Sequence, residues 1–193
     1  MLAMNYFFRI NLISRQVKGF TLVELVVTLA VLALMLSIGI PSLKAAAQSI
    51  KLNAVTNSFV SHLYMARGEA IKRNSRVVVC KSADGQSCTS AGGWEQGWIV
   101  FHDLNNDGLR DAAEDVIARG QALPANFRLT GNLSVANYVS FASTGGTKLV
   151  GGGFQAGTLM LCNQSASGGE GRQIILNAVG RTRVQKIPAA SCA

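Results

Sequence analysis

Between Lys18 and Lys44 the chain carries twenty-five residues, Gly19 to Leu43, of which only Glu24 has an ionisable side chain. As a helix rising about 1.5 Å per residue, the run extends roughly 37 Å, more than the ~30 Å hydrocarbon core of a bilayer. No small soluble fold can cover such a segment on every side, so it belongs in a membrane or in the apolar core of an assembly. Arg9, Arg15 and Lys18 precede it with no acidic residue among them, which places the N-terminus in the cytoplasm and everything beyond Lys44 outside. A secretory signal has a shorter apolar core followed by a small-residue cleavage site; here the run is longer and its distinctive residues stand at its beginning. The chain has 18 Lys+Arg against 10 Asp+Glu, a formal net charge of +8, which favours nucleic acid, anionic lipid or acidic protein as partners. With 2 histidines and 4 cysteines, triads and metal centres are poorly supplied, and a plain cytosolic enzyme is the class most strongly disfavoured.

Glu24 needs a cause. A lone carboxylate within a membrane helix costs about 2.5–3.5 kcal/mol at mid-bilayer and signals a partner. Its place near the helix start softens the cost, because the N-terminal dipole favours negative charge. Cleavage between Gly19 and Phe20 would create an α-ammonium four residues away, on this chain or on a neighbouring subunit.

Lys18-Gly19-Phe20-Thr21-Leu22-Val23-Glu24-Leu25 resembles the processing signal and helix start of type IV pilins and type II secretion pseudopilins. The resemblance implies cleavage after Gly19 by a prepilin peptidase, N-methylation of Phe20, and a Glu24 carboxylate that neutralises a neighbouring N-terminus during filament assembly. The resulting division is a leader at 1–19, a membrane or filament-core helix at 20–43, an amphipathic helix at 44–74 and a β-rich head at 75–193.

The helical period continues past the apolar run. Leu52, Val55, Phe59, Leu63, Ala66 and Ala70 recur every three or four residues with polar residues between them, predicting a stripe that packs on a sheet and ends near Asn74. Gly39 and Pro41 mark the expected bend or melting point. From Arg76 the pattern turns to short β-like runs at 76–81, 97–102, 116–121, 127–130, 138–142, 158–162, 173–176 and 182–187, separated by Gly, Asn, Asp and Ser. The fold class expected is α+β: a long N-terminal helix on one or two antiparallel sheets. The stretch 97–115 and the C-terminal Gly180-Arg181-Thr182-Arg183 are similar to the subgroup that holds the GspH pseudopilins and the FimU and FimT minor pilins, the FimT branch above all.

Cys80, Cys88, Cys162 and Cys192 all follow the anchor, in the exported part, where disulfides form. Three connectivities are open to them; the pairing expected is Cys80–Cys88, stapling a hairpin, with Cys162–Cys192 pinning the C-terminus. Asp103, Asn105, Asp107, Asp111 and Glu114, with the Leu109 carbonyl and a turn at Gly108, match the spacing of a calcium loop. The flanking elements are strands, however, and Asx residues with glycine also make tight β-connections, so no metal is the favoured expectation. His62 and His102 have no recognisable nucleophile and carboxylate in order, and Trp94 and Trp98 suit a small β-core.

The last third of the chain is the basic surface candidate. Arg181 and Arg183, two apart on a strand, are expected on one face, with Arg172 and Lys186 nearby and Gly180 permitting the turn. Arginine forks suit phosphate oxygens. In the FimT branch a motif of this form is associated with DNA binding for natural transformation, and Arg181 and Arg183 match it. The resemblance therefore implies a minor pilin, not an enzyme, with other pilins, prepilin peptidase and DNA as partners. It implies a bitopic inner-membrane protein with a periplasmic head that then enters a surface pilus. The other readings are a structural minor pilin that primes assembly without DNA, and a pseudopilin of type II secretion.

Overall fold

The structure is a computed structural model that describes residues 19–164 and 170–192. Arg9, Arg15 and Lys18, residues 165–169 and Ala193 lie outside the described residues. The described residues fall into two compact units, one ending at Leu43 and one beginning at Lys44.

A single helix, α1, runs Leu22–Arg73, 52 residues. It begins at Thr21, whose Oγ1 accepts the Glu24 N–H at 3.2 Å and whose carbonyl accepts the Leu25 N–H at 3.2 Å. Thr21-Leu22-Val23-Glu24 is thus a helix-start signal of the capping-box pattern, with the acid on the first turn beside the positive end of the dipole. In the first unit the apolar side chains stand exposed, and a window of mean hydropathy 2.5 makes this helix long and apolar enough to cross a membrane. Pro41 sits inside the helix, so the local melting expected there as one outcome does not occur. Its missing N–H and ring cost about 3 kcal/mol in a helix interior, and the Ala45-Ala46-Ala47 run that follows is of the best helix formers.

In the second unit the buried stripe of α1 is Leu52, Thr56, Phe59, Leu63, Ala66 and Ala70. Thr56 joins the buried set, its hydroxyl satisfied within the helix by donating to the Leu52 carbonyl at 2.7 Å, and Val55 packs against the core half-buried. Eight strands follow: β1 Val77–Lys81, β2 Trp98–His102, β3 Val116–Gly120, β4 Phe127–Gly131, β5 Tyr138–Phe141, β6 Gly157–Asn163, β7 Glu170–Leu176 and β8 Thr182–Pro188. Their ends agree with the sequence pattern to within a residue except at β7, which starts three residues earlier than Gln173. They form two four-stranded antiparallel sheets, β3-β2-β1-β5 and β4-β6-β7-β8. This is the α+β architecture expected, with both sheets contributing to one core under the helix stripe.

Phe59 is the centre of that core. It is fully buried and meets Trp94 and Trp98 edge-on, with ring centroids 5.3 and 4.9 Å away. Trp94 Nε1–H donates to the Val135 carbonyl at 3.0 Å, and both indoles are buried in the core. Gly120 is required beneath Trp98, since a Cβ there would lie 2.0 Å from the indole.

Cys80 is bonded to Cys88, eight residues on, and Cys162 to Cys192, thirty residues on. Within the first loop Asp84 accepts from the Ser82 and Ser87 hydroxyls and from the Gln86 and Ser87 backbone N–H groups. These bonds, the Ser87 hydroxyl first among them, hold its carboxyl well below the ordinary carboxylate range. A depressed folded pKa means stability that is present above the unfolded carboxylate value of about 3.8 and lost as pH falls below it. Asp84→Asn should therefore lower the melting midpoint of the head at neutral pH, and the gap should close as the pH drops below about 4. A gap that is unchanged down to pH 2 would refute the assignment.

Candidate nucleic-acid interface

The site is built on the turn Asn177–Arg181 between β7 and β8. Asn177 and Arg181 close it from both sides: the Asn177 N–H donates to the Arg181 carbonyl at 3.1 Å, and the Arg181 N–H donates to Asn177 Oδ1 at 2.8 Å. Gly180 has φ +76°, and a Cβ there would lie 2.1 Å from the Gly145 carbonyl oxygen, so glycine is needed for close approach as well as for the turn. Helix α1 holds the turn from below: Arg67 Nη1 donates to the Gly180 carbonyl and the Tyr64 hydroxyl to the Thr182 carbonyl, each at 3.2 Å. Thr147 fixes the near side, its N–H donating to the Ala178 carbonyl and its hydroxyl to Asn177, both at 3.0 Å. Arg181 and Arg183 emerge from this clamped segment exposed, on either side of buried Thr182.

The four cations grouped in the sequence do not form one surface. Register pairs Leu176 with Thr182, Ile175 with Arg183, Ile174 with Val184 and Arg172 with Lys186. Paired residues share a face, and Ile174 and Leu176 face the core, so Arg172 and Lys186 belong to the core-side face while Arg183 lies on the opposite one. Arg172 is 2% exposed; its Nε and Nη2 donate to Asn53 Oδ1 on α1 at 3.0 and 2.9 Å, and Nη1 to the Gly171 carbonyl. It ties β7 to the helix and is withdrawn from the surface. Lys186 is exposed but opposes Arg183 across the strand.

The structure adds residues the sequence did not single out. Lys148 and Phe154 pair across a short antiparallel bridge beside the turn. Phe154 is 80% exposed and Val179 64%. With Arg67, Thr144 and Thr147 they line a cavity of about 360 Å³. In the sequence Phe154 stands directly after Gly151-Gly152-Gly153.

The other sequence candidates sit elsewhere. Gly19 and Phe20 precede α1, and Glu24 is exposed on its first turn. In the calcium-spaced loop Asp103 accepts the Asp107 and Gly108 N–H groups, Glu114 those of Leu104 and Asp111, and Asp107 that of Leu109. The Asn105 amide nitrogen donates inward to both Asp107 and Asp111. Burial pushes the Asp103 carboxyl above its ordinary value, and among the described residues no group of three or more His, Cys, Asp or Glu is placed to hold a metal. His62 Nδ1 lies 2.9 Å from the Ser58 carbonyl within its own helix. His102 Nε2 contacts the Ser75 hydroxyl, a pair the sequence did not show; no described carboxylate orients that imidazole.

Residues 55–180, more than half of the chain, match the family described as Type II transport protein GspH, and residues 14–40 match the prokaryotic N-terminal methylation motif. No curated protein sequence matches the chain. The type IV minor pilin FimU of Pseudomonas aeruginosa superposes with TM-score 0.54 at 18% identity, covering 72% of this chain and 90% of that one. The minor pseudopilin EpsH of the Vibrio cholerae type 2 secretion system aligns with TM-score 0.48 at 15% identity over 70% of this chain and 96% of that one.

Proposed function

The chain belongs to the family of type II transport protein GspH, and from that premise we propose that it is a minor pilin of a type IV pilus that captures DNA for uptake. At the coarser level it is a minor pilin or pseudopilin, of a structural and not a catalytic family, with a methylation motif that implies processing by prepilin peptidase. Processing after Gly19 leaves Phe20 as the methylated N-terminus, and Glu24 serves assembly by pairing with a neighbouring subunit's N-terminus. Before assembly the chain is bitopic, with the head in the periplasm.

The observation that supports DNA capture is the pair Arg181 and Arg183, exposed around a turn that α1, Gly145 and Thr147 hold in place. Two guanidinium groups on a fixed segment can bind successive phosphate oxygens without ordering a loop first, which removes part of the entropic cost of binding. Phosphate contacts position the duplex without reading its sequence.

The test is a salt titration of the full chain in zwitterionic detergent micelles with fluorescent duplex DNA, beside Arg181→Gln/Arg183→Gln. Each phosphate contact contributes about 0.9 to the slope of log K against log salt, so the double variant should bind at least about tenfold more weakly at low salt and lose nearly two from that slope. Absence of duplex binding by the folded chain at low salt, or a variant with unaltered slope, would remove DNA capture. The reading left would be a minor pilin or pseudopilin that only assembles.

A further inference from the structure

We propose that the cavity beside the β7–β8 turn receives an unpaired nucleobase, stacked on Phe154, with the flanking phosphates on Lys148 and Arg181. The inference rests on the DNA reading above and names the part of DNA that the site recognises.

In the second unit Phe59, Phe101, Phe127 and Phe141 are all between 0 and 2% exposed, whereas Phe154 is 80% exposed. The ring is presented by an anchored hairpin and is not on a loose loop. The Leu149 N–H donates to the Gly153 carbonyl and the Gly152 N–H to the Leu149 carbonyl, at 2.8 and 2.9 Å. The next residue, Gln155, is fully buried: its Oε1 accepts the Ser140 N–H at 2.8 Å, and its Nε2 donates to the Ser134 and Tyr138 carbonyls at 2.8 and 2.9 Å. The backbone that carries the ring is thus fixed by a fully bonded neighbour, and binding need not order that segment.

The charge around the ring chooses the occupant. The ionisable residues lining the cavity, Arg67 and Lys148, are both cationic, no acid lines it, and Arg181 closes the same turn that carries Val179. An exposed aromatic with cations around it complements a polymer that offers flat apolar faces joined by anions, which is a single-stranded nucleic acid. Base pairing and stacking hide those faces in a duplex, so the cavity prefers a strand end or an opened segment. At about 360 Å³ the cavity lies at the small end of ligand sites.

The test compares a short fluorescent single strand with its abasic counterpart, which keeps the phosphates and lacks the bases, on the full chain in detergent micelles. The base-bearing strand should bind about tenfold more tightly than the abasic one, as expected for one stacked base. Phe154→Ala should erase that preference while leaving abasic affinity and the Trp-fluorescence unfolding curve unchanged, and Phe154→Trp should keep it. Equal binding of the two strands by the wild-type chain, or a preference that survives in Phe154→Ala, overturns the cavity assignment. If duplex binding then still depends on Arg181 and Arg183, the DNA reading stands without it. Failure of every DNA to bind overturns both and leaves this face to a neighbouring subunit.

Discussion

Phe59→Ala should lower the unfolding free energy of the head by about 3–5 kcal/mol, the range for deleting a fully buried aromatic ring. The ring is fully buried, packs on both indoles and joins α1 to the sheets, so its removal leaves a cavity between two edge-on contacts. Trp94 and Trp98 are the 2 tryptophans of the chain and both sit against Phe59, so intrinsic fluorescence reports on this core and not on the membrane segment. A guanidinium titration of the full chain in micelles, followed by that emission, should show a lower midpoint with little change in slope. A loss smaller than about 1 kcal/mol would mean that the helix stripe is not the centre of the core.

The double variant Cys162→Ala/Cys192→Ala should cost about 3.5 kcal/mol on the chain-entropy account of a loop of thirty residues. The eight-residue loop of Cys80–Cys88 should give about 2.5 kcal/mol on the same account, so the order of the two losses is itself a check. The longer bond has a functional consequence as well. It ties the end of the chain just past β8 to β6, while β8 is an edge strand of its sheet. Without it β8 should fray from its C-terminal end first, since the Gly180 turn still holds the other end. On the proposed DNA capture, binding through Arg181 should therefore fall less than binding through Arg183. Equal stability of oxidised wild type and the double variant in the same titration would refute the assignment.

Most of the fold was legible along the chain because its signals are local and periodic. Leu52, Phe59, Leu63, Ala66 and Ala70 repeat at the helical interval, and Val77–Lys81 and Trp98–His102 are short β-branched and aromatic runs between turn residues. The helix continues through Pro41, with the Ala45-Ala46-Ala47 run after it among the best helix formers. The Thr21–Glu24 start was present in the sequence as a threonine with an acid three positions on.

The site was legible only in part. Gly180, Arg181 and Arg183 stand together in sequence, so their shared turn needed no long-range information. Arg172 and Lys186 joined them by proximity in the chain, and the register of β7 against β8 separates them, because a side chain's face is set by the parity of its pairing partner. Asp103 and Glu114 have calcium-loop spacing, and the backbone N–H groups that their carboxylates accept are visible only in the folded loop. Phe154 and Lys148 are brought to the β7–β8 turn by contacts such as Thr147 with Asn177 and Gly145 with Gly180, between segments some thirty residues apart. The sequence alone determined the apolar N-terminal helix, the methylation motif and the order of helix and strands, since each follows from composition and period within a few turns of chain. Tertiary structure decided which cations share a face and which aromatic stays in solvent, since both depend on pairing between segments that no local pattern encodes.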